Sequence, residues 1–253
     1  MSSEPCKELA WDSEFFGMRI ARYNGDELTD SSATAALAFC RERRIDCLYL
    51  LLSDATVATS RGFHHVDTRL TLACDLRRAV IPAREHSCRV SSPSDIPILR
   101  EIARISHRDS RFYSDSNFDR SRCDALYETW IERSCEGWAD RTLVADYEGR
   151  PEGYITCSLS NSGVGSIGLF AVAEAARGKG IGTDLITASL TYFRDSGMHS
   201  VEVVTQLRNT AGQHVYQRCG FVPASRLFWF HAWLKPETHS LQRSTGEGKN
   251  GHL

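Results

Sequence analysis

The 253 residues contain no CxxC pair and no HxH or HxxxH spacing, so nothing in the sequence reads as a metal site. Nine cysteines are scattered without pattern, which reads as reduced thiols of a cytoplasmic protein and not as a disulfide framework. The longest apolar stretch, "CLYLLL" at Cys47–Leu52, falls far short of the roughly 20 residues a membrane-spanning helix needs. The opening "MSSEPCKELAWDSEFF" has no apolar signal core, so export is not expected. A net charge of −2 gives no electrostatic case for nucleic acid or a bilayer as partner. Two nucleotide motifs are missing as well. No Gly-Lys-Ser/Thr occurs, and Thr183 stands where a GxGxxG fingerprint needs its third glycine; Glu202 lies in a strand too late to be its acidic residue.

What is present is an ordinary globular composition, 42% apolar and 25% charged. Residues 1–85 read as a small N-terminal α/β domain. "MRIARYNG" is a strand, "SSATAALAFCRERR" a helix capped by Ser31 or Ser32, "DCLYLLL" a buried strand and "HVDTRLTLACDL" a half-buried one. Charge and Pro82 in "RRAVIPAREHS" mark a boundary, and a second domain follows over 86–235. There "CRVSS" is a strand and "SPSDIPILREIARIS" a helix capped by Ser94 or Asp95. A polar, aromatic loop "HRDSRFYSDSNFDR" comes next, then an amphipathic helix to Gly137 and a hairpin turning at "EGRP". "SGVGSIGLFAV" is a strand, "GTDLITASLTYFRDSG" a helix, "SVEVVTQ" a strand and "TAGQHVYQRCG" a helix closed by Gly220. "FVPASRLFWFHAWL" ends the domain as a strand pair or one bent strand. Residues 236–253 read as a disordered tail. "SRGFHHVDTRLTL" and "QRCGFVPASRLFWF" echo each other faintly, so the first unit is open to reading as a truncated cousin of the second.

The chemical signal is "AVAEAARGKGIGTDL", Ala171–Leu185. A strand, a glycine turn and a helix start make an anion site, because the first amides of a helix lack internal partners and carry partial positive charge. Glycine lets a phosphate approach the backbone, and Arg177 and Lys179 add formal charge. The residues alone favour the anion site and also permit a plain flexible turn with a helix cap.

The order that follows Gly182 (helix, strand, Asn209, helix, Tyr216, then "CGF") resembles the GCN5-related N-acetyltransferase (GNAT) superfamily over residues 88–234. "AWDSEFFGMRI", "SRFYSDSNF" before "YETWIERS", and "VVTQLRNTAGQHVYQRCGF" resemble its TDP-fucosamine acetyltransferase subfamily, whose members acetylate an amino group on a nucleotide-linked deoxysugar. The resemblance implies an α/β GNAT fold, a central, mostly antiparallel mixed sheet splayed at the cofactor site, with acetyl-CoA as cofactor. It also implies a small-molecule acceptor and is compatible with a homodimer.

On that resemblance, main-chain groups of Phe170, Ala171 and Val172 pair with the pantetheine amides of acetyl-CoA. Amides of Arg177, Gly178, Lys179, Gly180, Ile181, Gly182 and Thr183 grip its pyrophosphate, and Val172 or a neighbour donates to the thioester oxygen. Tyr216 matches the family's proton donor to the leaving thiolate, although a helical tyrosine also reads as core. Asn209 either binds cofactor and serves catalysis or simply caps its helix. Cys219 reads as a structural thiol. The sequence does not name the general base: Glu152, Glu174 and Asp146 are candidates by chemistry, and each reads first as a solvated charge. For the acceptor, Arg111 is suited to a diphosphate and Phe112, Tyr113 and Phe118 to stacking, or the loop is pinned to the core by its aromatics. Tyr127 and Trp130 read as core. Open alternatives are a protein N-terminus, an antibiotic or another small amine as acceptor, and a non-catalytic acyl-CoA-binding module.

Overall fold

The structure, a computed structural model, describes residues 4–81 and 83–234. The boundary proline Pro82 and the tail at 236–253 lie outside the described residues. The first part of the chain folds as β1 (Cys6–Glu8), α1 (Ala10–Phe16), β2 (Ile20–Tyr23), α2 (Asp30–Glu42), β3 (Cys47–Leu52), α3 (Thr56–Ser60) and β4 (His64–Asp75). Then come β5 (Cys88–Val90), α4 (Ile96–Ser106), the single turn α5 (Arg111–Ser114), α6 (Arg120–Arg133), β6 (Arg141–Tyr147), β7 (Arg150–Ser158) and β8 (Val164–Val172). The chain finishes with α7 (Ile181–Asp195), β9 (Ser200–Gln206), α8 (Thr210–Arg218) and β10 (Val222–Trp233).

All strands join one sheet in the order β1-β2-β3-β10-β4-β9-β8-β7-β6-β5. It is mixed and mostly antiparallel, as expected for the fold class; β2–β3 and β8–β9 are the parallel pairs. β3 is buried at every position, which is why its sequence is an unbroken apolar run with no alternation. The last segment is one bent strand, with register shifts at Pro223/Ser225 and Trp229/Phe230. It inserts between β3 and β4, so the sheet runs without a break past residue 85. The echoed segments α3–β4 and α8–β10 end in strands that are direct antiparallel neighbours.

Side chains alternate across the sheet and feed cores on both faces. On one face, α2 packs Ala33, Ala36, Phe39 and Cys40 against Leu48, Leu50, Leu52 and Phe230. On the same face, α7 and α8 bury Leu185, Ile186, Phe193 and Tyr216 against Leu70, Leu72 and Val203. The opposite face carries α1, α4, α5 and α6, with Phe16, Leu99, Phe112, Phe118 and Leu126 packed on Tyr49, Tyr154 and Ala171.

Two caps differ from the sequence expectation. Thr29, not Ser31 or Ser32, caps α2; its hydroxyl accepts the Ser32 N–H at 3.1 Å while the Ser32 hydroxyl accepts the Thr29 N–H at 3.0 Å. The second differs in how it caps, not in where: Asp95 stands at the N-cap of α4 as one of the two expected residues, but makes no cap bond to that helix. Its carboxylate instead accepts the Ser92 N–H at 2.7 Å, closing a short 3₁₀ turn over Pro93–Asp95. Neither β1 nor α1 carries a periodicity long enough to announce itself in the sequence.

Candidate functional site

β8 and β9 pair in parallel only from Val164↔Ser200 to Ile167↔Val203. Beyond that point β8 follows β7 to Val172↔Gly153, whereas β9 follows β4 to Gln206↔Arg69. The sheet therefore opens between Gly168–Val172 and Val204–Gln206. A bulge between Ile155 and Cys157 helps turn β8 away. The Ala173 N–H donates to the Glu152 carbonyl at 2.8 Å. Antiparallel alternation then turns the main-chain groups of Ala171 toward β7 and those of Phe170 and Val172 toward the opening. Of the three residues expected to offer backbone groups, two face the gap and Ala171 does not. The Val172 carbonyl already accepts from Arg177 Nε at 3.2 Å.

The glycine turn lies at the end of β8. Gly178 and Gly180 have φ of +78° and +84°, the left-handed region where a side chain is strained. Gly182 is needed for a different reason: a Cβ there would lie 3.2 Å from the Phe170 ring and 3.6 Å from Val215, so its absence seats α7 on β8 and α8. Gly180 is the N-cap of α7 and supplies no side-chain cap; the first helical bond is Asp184 N–H to the Gly180 carbonyl at 3.1 Å. Among the described residues, the main-chain N–H groups from Gly178 through Thr183 have no acceptor. Arg177 departs from the expectation, since its N–H closes the preceding turn on the Glu174 carbonyl at 3.3 Å.

Two more residues shape this turn. Arg218, on α8, donates to the Thr183 hydroxyl at 3.0 Å and adds a guanidinium beside the free amides. Buried Asp184 accepts from the Glu85 N–H at 3.1 Å, the His86 N–H at 3.0 Å and His86 Nδ1 at 2.7 Å. It thereby ties the 85–86 segment over the turn. In sequence, an acidic residue in a first helical turn reads only as a partner for the helix dipole.

Tyr216 is buried, its ring 5.5 Å from Phe170 and 5.4 Å from Phe221. Its hydroxyl has no hydrogen-bond partner among the described residues. Burial pushes its pKa above the ordinary phenol value, so it stays protonated. Asn209 uses both side-chain atoms inside the protein. Its Oδ1 accepts the Gly212 N–H at 2.9 Å and its Nδ2 donates to Thr205 at 3.1 Å, which makes it the N-cap of α8. Cys219 is buried, and burial raises its thiol to about 11, so it carries no thiolate near neutrality.

The "RFYSDSNF" segment folds inward. Phe112 and Phe118 are core residues, 3% and 2% exposed, so neither presents a ring to solvent. The Tyr113 hydroxyl donates to Asp124. The Arg111 guanidinium lies 4.1 Å from the ring centres of Tyr49 and Phe112 and 4.3 Å from that of Trp229. It also donates to His231 Nε2 at 2.7 Å. Burial holds the His231 pKa down at about 4, so the ring is neutral, and its Nδ1–H donates to Asp115 at 2.7 Å. Burial raises the Asp115 carboxyl, but donation from His231, Asn117 and Trp233 outweighs it and keeps Asp115 ionised. Of the four residues expected to meet an acceptor, Arg111 and Phe112 join Tyr49 of β3 and Trp229 of β10 in an aromatic cage around the arginine, Phe118 packs beside it on His231 and Trp233, and Tyr113 is turned to Asp124.

Two carboxylates on this face were not picked out from sequence. Asp67, on β4, is 2% exposed; burial pushes it up to about 6 against the pull of Arg208, whose Nη2 is 3.4 Å away. Burial also raises Asp12, opposed by Arg111. An Asp in an alternating strand gives no sign of burial until its neighbours are known. Of the bases named from sequence, Asp146 is held by Arg89 at 2.6 Å and Glu152 by Arg150 at 2.8 Å.

Comparison with known proteins gives the family. Residues 99–221 match the description "Acetyltransferase (GNAT) family". The dTDP-fucosamine acetyltransferase of Escherichia coli O6:H1 is 26% identical over 235 residues, covering 88% of this chain and 96% of that protein. Spore coat polysaccharide biosynthesis protein SpsD of Bacillus subtilis is 27% identical over 141 residues, and the chain spans about half of its length, 48%. Among solved structures, a GCN5-related N-acetyltransferase from Sphaerobacter thermophilus superposes with a TM-score of 0.64 at 17% identity, over 91% of this chain and 76% of that one. The glycine turn and the parting of β8 from β9 both lie within the matched stretch, and residues 99–221 of the chain belong to the acetyltransferase (GNAT) family.

Proposed function

We propose that this protein transfers an acetyl group from acetyl-CoA to the amine of a nucleotide-linked amino-deoxysugar, by direct attack. The observation that carries the reading is the run of free amides from Gly178 through Thr183 at the start of α7, beside the opening between β8 and β9. These amides suit a pyrophosphate, and the outward-facing groups of Phe170 and Val172 suit the amides of a pantetheine arm laid along the strand. Acetyl-CoA, when bound, supplies a thioester whose carbonyl is open to an amine.

The chain's own residues then have three tasks. The Val172 N–H faces the opening and donates to the carbonyl oxygen as negative charge gathers there. Tyr216, protonated and unbonded, delivers a proton to the departing sulfur. Asp67, with a pKa of about 6, is ionised at neutral pH and accepts the proton of the attacking amine. Asn209 holds the β9–α8 corner that carries Tyr216.

The nucleotide-sugar acceptor rests on the E. coli relative's name and on the near-full-length coverage of both chains. A small N-terminal unit over 1–85 and an acetyltransferase unit over 86–235 remain our description of the chain, with β10 stitched into the sheet of the first unit. We place the reaction in the cytoplasm, in keeping with nine free thiols, and allow for a homodimer. Incubation with acetyl-CoA and a panel of nucleotide-linked 3- and 4-amino sugars, read by mass spectrometry, should show one acetyl group added to at least one of them. Acetylation of none removes the substrate assignment, and calorimetry showing no uptake of acetyl-CoA removes the cofactor.

A further inference from the structure

The sheet face that carries the arginine cage continues into a second feature. Cross-strand registers place Lys7 opposite Arg22, Leu51 opposite Trp229, and Leu227 opposite Arg69. Side chains directly opposite one another share a face, so these residues form the floor of one trough across β1, β2, β3, β10 and β4. A cavity of about 500 Å³ opens there, within the size range of small-molecule sites.

Its cations are unusual in having no partners. Among the described residues, Lys7, Arg22 and Arg69 form no ion pair within 4.0 Å and donate no side-chain hydrogen bond. Asp26 also borders the cavity without pairing to any of them. Arg69 Nε is sealed from solvent and unsatisfied, a costly state for a charged donor. Burial, and then the nearby charge of Arg22, lowers the Arg69 pKa, against a weaker opposing pull from Glu202. Lys7 directly opposite Arg22 is a like-charge pair, which destabilises a strand pair unless something neutralises it. Arg22 also leans over the Trp229 ring at 5.6 Å.

We propose that this trough, with Lys7, Arg22 and Arg69 as its cations, binds the diphosphate of the nucleotide-linked acceptor. The inference rests on the acceptor class proposed above and assigns it a place. Arg111 cannot serve, because His231 and three aromatic rings already hold it. Position favours the trough as well. Arg69 lies opposite Gln206 at the end of β9, and β9 is one wall of the opening, so the trough begins one strand beyond that wall, roughly 4.8 Å from β9. A sugar can bridge the two, its amine at the opening and its diphosphate on the arginines.

The test is calorimetry on the full chain saturated with coenzyme A, so that the glycine turn is filled, titrated with thymidine diphosphate, with inorganic pyrophosphate and with thymidine. Both phosphate ligands should bind and thymidine alone should bind far more weakly. Arg22→Gln, at an exposed position, and Arg69→Gln should each raise the Kd for thymidine diphosphate tenfold or more, with acetyl-CoA affinity unchanged within twofold. Thymidine diphosphate binding that is absent, or equal in wild type and Arg22→Gln, overturns the site. The acceptor reading fails separately. If phosphate binding depends on the arginines but no nucleotide sugar is acetylated, the anion site stands and the substrate falls. If acetylation proceeds with a KM that ignores both substitutions, the substrate stands and the site falls.

Discussion

Replacing Tyr216 by Phe removes one oxygen and little else. The ring keeps its neighbours at 5.5 Å and 5.4 Å, and no described residue loses a hydrogen-bond partner, because the hydroxyl has none among them. Folding stability should therefore stay within about 0.5 kcal/mol of wild type. Affinity for acetyl-CoA should also hold, since the cofactor's expected grip comes from main-chain amides around Gly178–Thr183. The loss should appear in turnover. General acid catalysis contributes typically 10²–10⁴-fold, but a thiolate with an ordinary pKa of about 8.5 needs less help than most leaving groups. A fall in kcat of roughly 10- to 100-fold follows, equivalent to about 1.4–2.7 kcal/mol of transition-state stabilisation. Steady-state kinetics, calorimetric acetyl-CoA binding and a urea melt on the same preparation separate the three quantities. A turnover within twofold of wild type, with cofactor affinity intact, would refute the assignment of Tyr216 as proton donor.

Other consequences can be read directly. Ala at both Gly178 and Gly180 forces side chains into φ of +78° and +84°, at about 1 kcal/mol or more each, so the double variant should melt earlier and bind acetyl-CoA more weakly; unchanged affinity would detach the turn from the cofactor. Asp67 has a folded pKa of about 6 against about 3.9 unfolded, so its contribution to stability declines as pH rises between those values, by about 3 kcal/mol in all. Asp67→Asn should lack that decline, and its stability relative to wild type should climb between about pH 4 and 6 and level off above; a pH-independent difference would show that the carboxyl is not raised. His231→Ala leaves Asp115 and Arg111 without their shared partner and should cost about 3–5 kcal/mol in a chemical melt, where a loss below 1 would mean the network relaxes freely.

Much of this arrangement was legible in residues 164–221, where local rules act. The glycine turn, the helix it opens and the Tyr216 helix all follow from near neighbours in sequence. The acceptor segment was not legible. Arg111, Phe112 and Phe118 look like a solvent-facing recognition loop until β3 and β10 bring Tyr49, Trp229 and His231 around them. Those contacts join residues from about sixty to more than a hundred positions apart, and no window of sequence contains them. Asp67 and Arg69 were hidden the same way, since alternation along β4 says which residues share a face but not what covers that face. The α2 cap moved to Thr29 because several hydroxyls stand in a row and only backbone geometry selects among them.

The seam made by β10 sets an order of events. Until Val222–Trp233 has left the ribosome, β3 and β4 each present an open row of amides and carbonyls with nothing between them. A nascent chain halted before that point offers two sticky borders to its neighbours, so premature termination near residue 221 should yield insoluble material and not merely an inactive enzyme. Closure also demands that β3 find a mate about 180 positions downstream in the chain, the kind of distant pairing that slows folding.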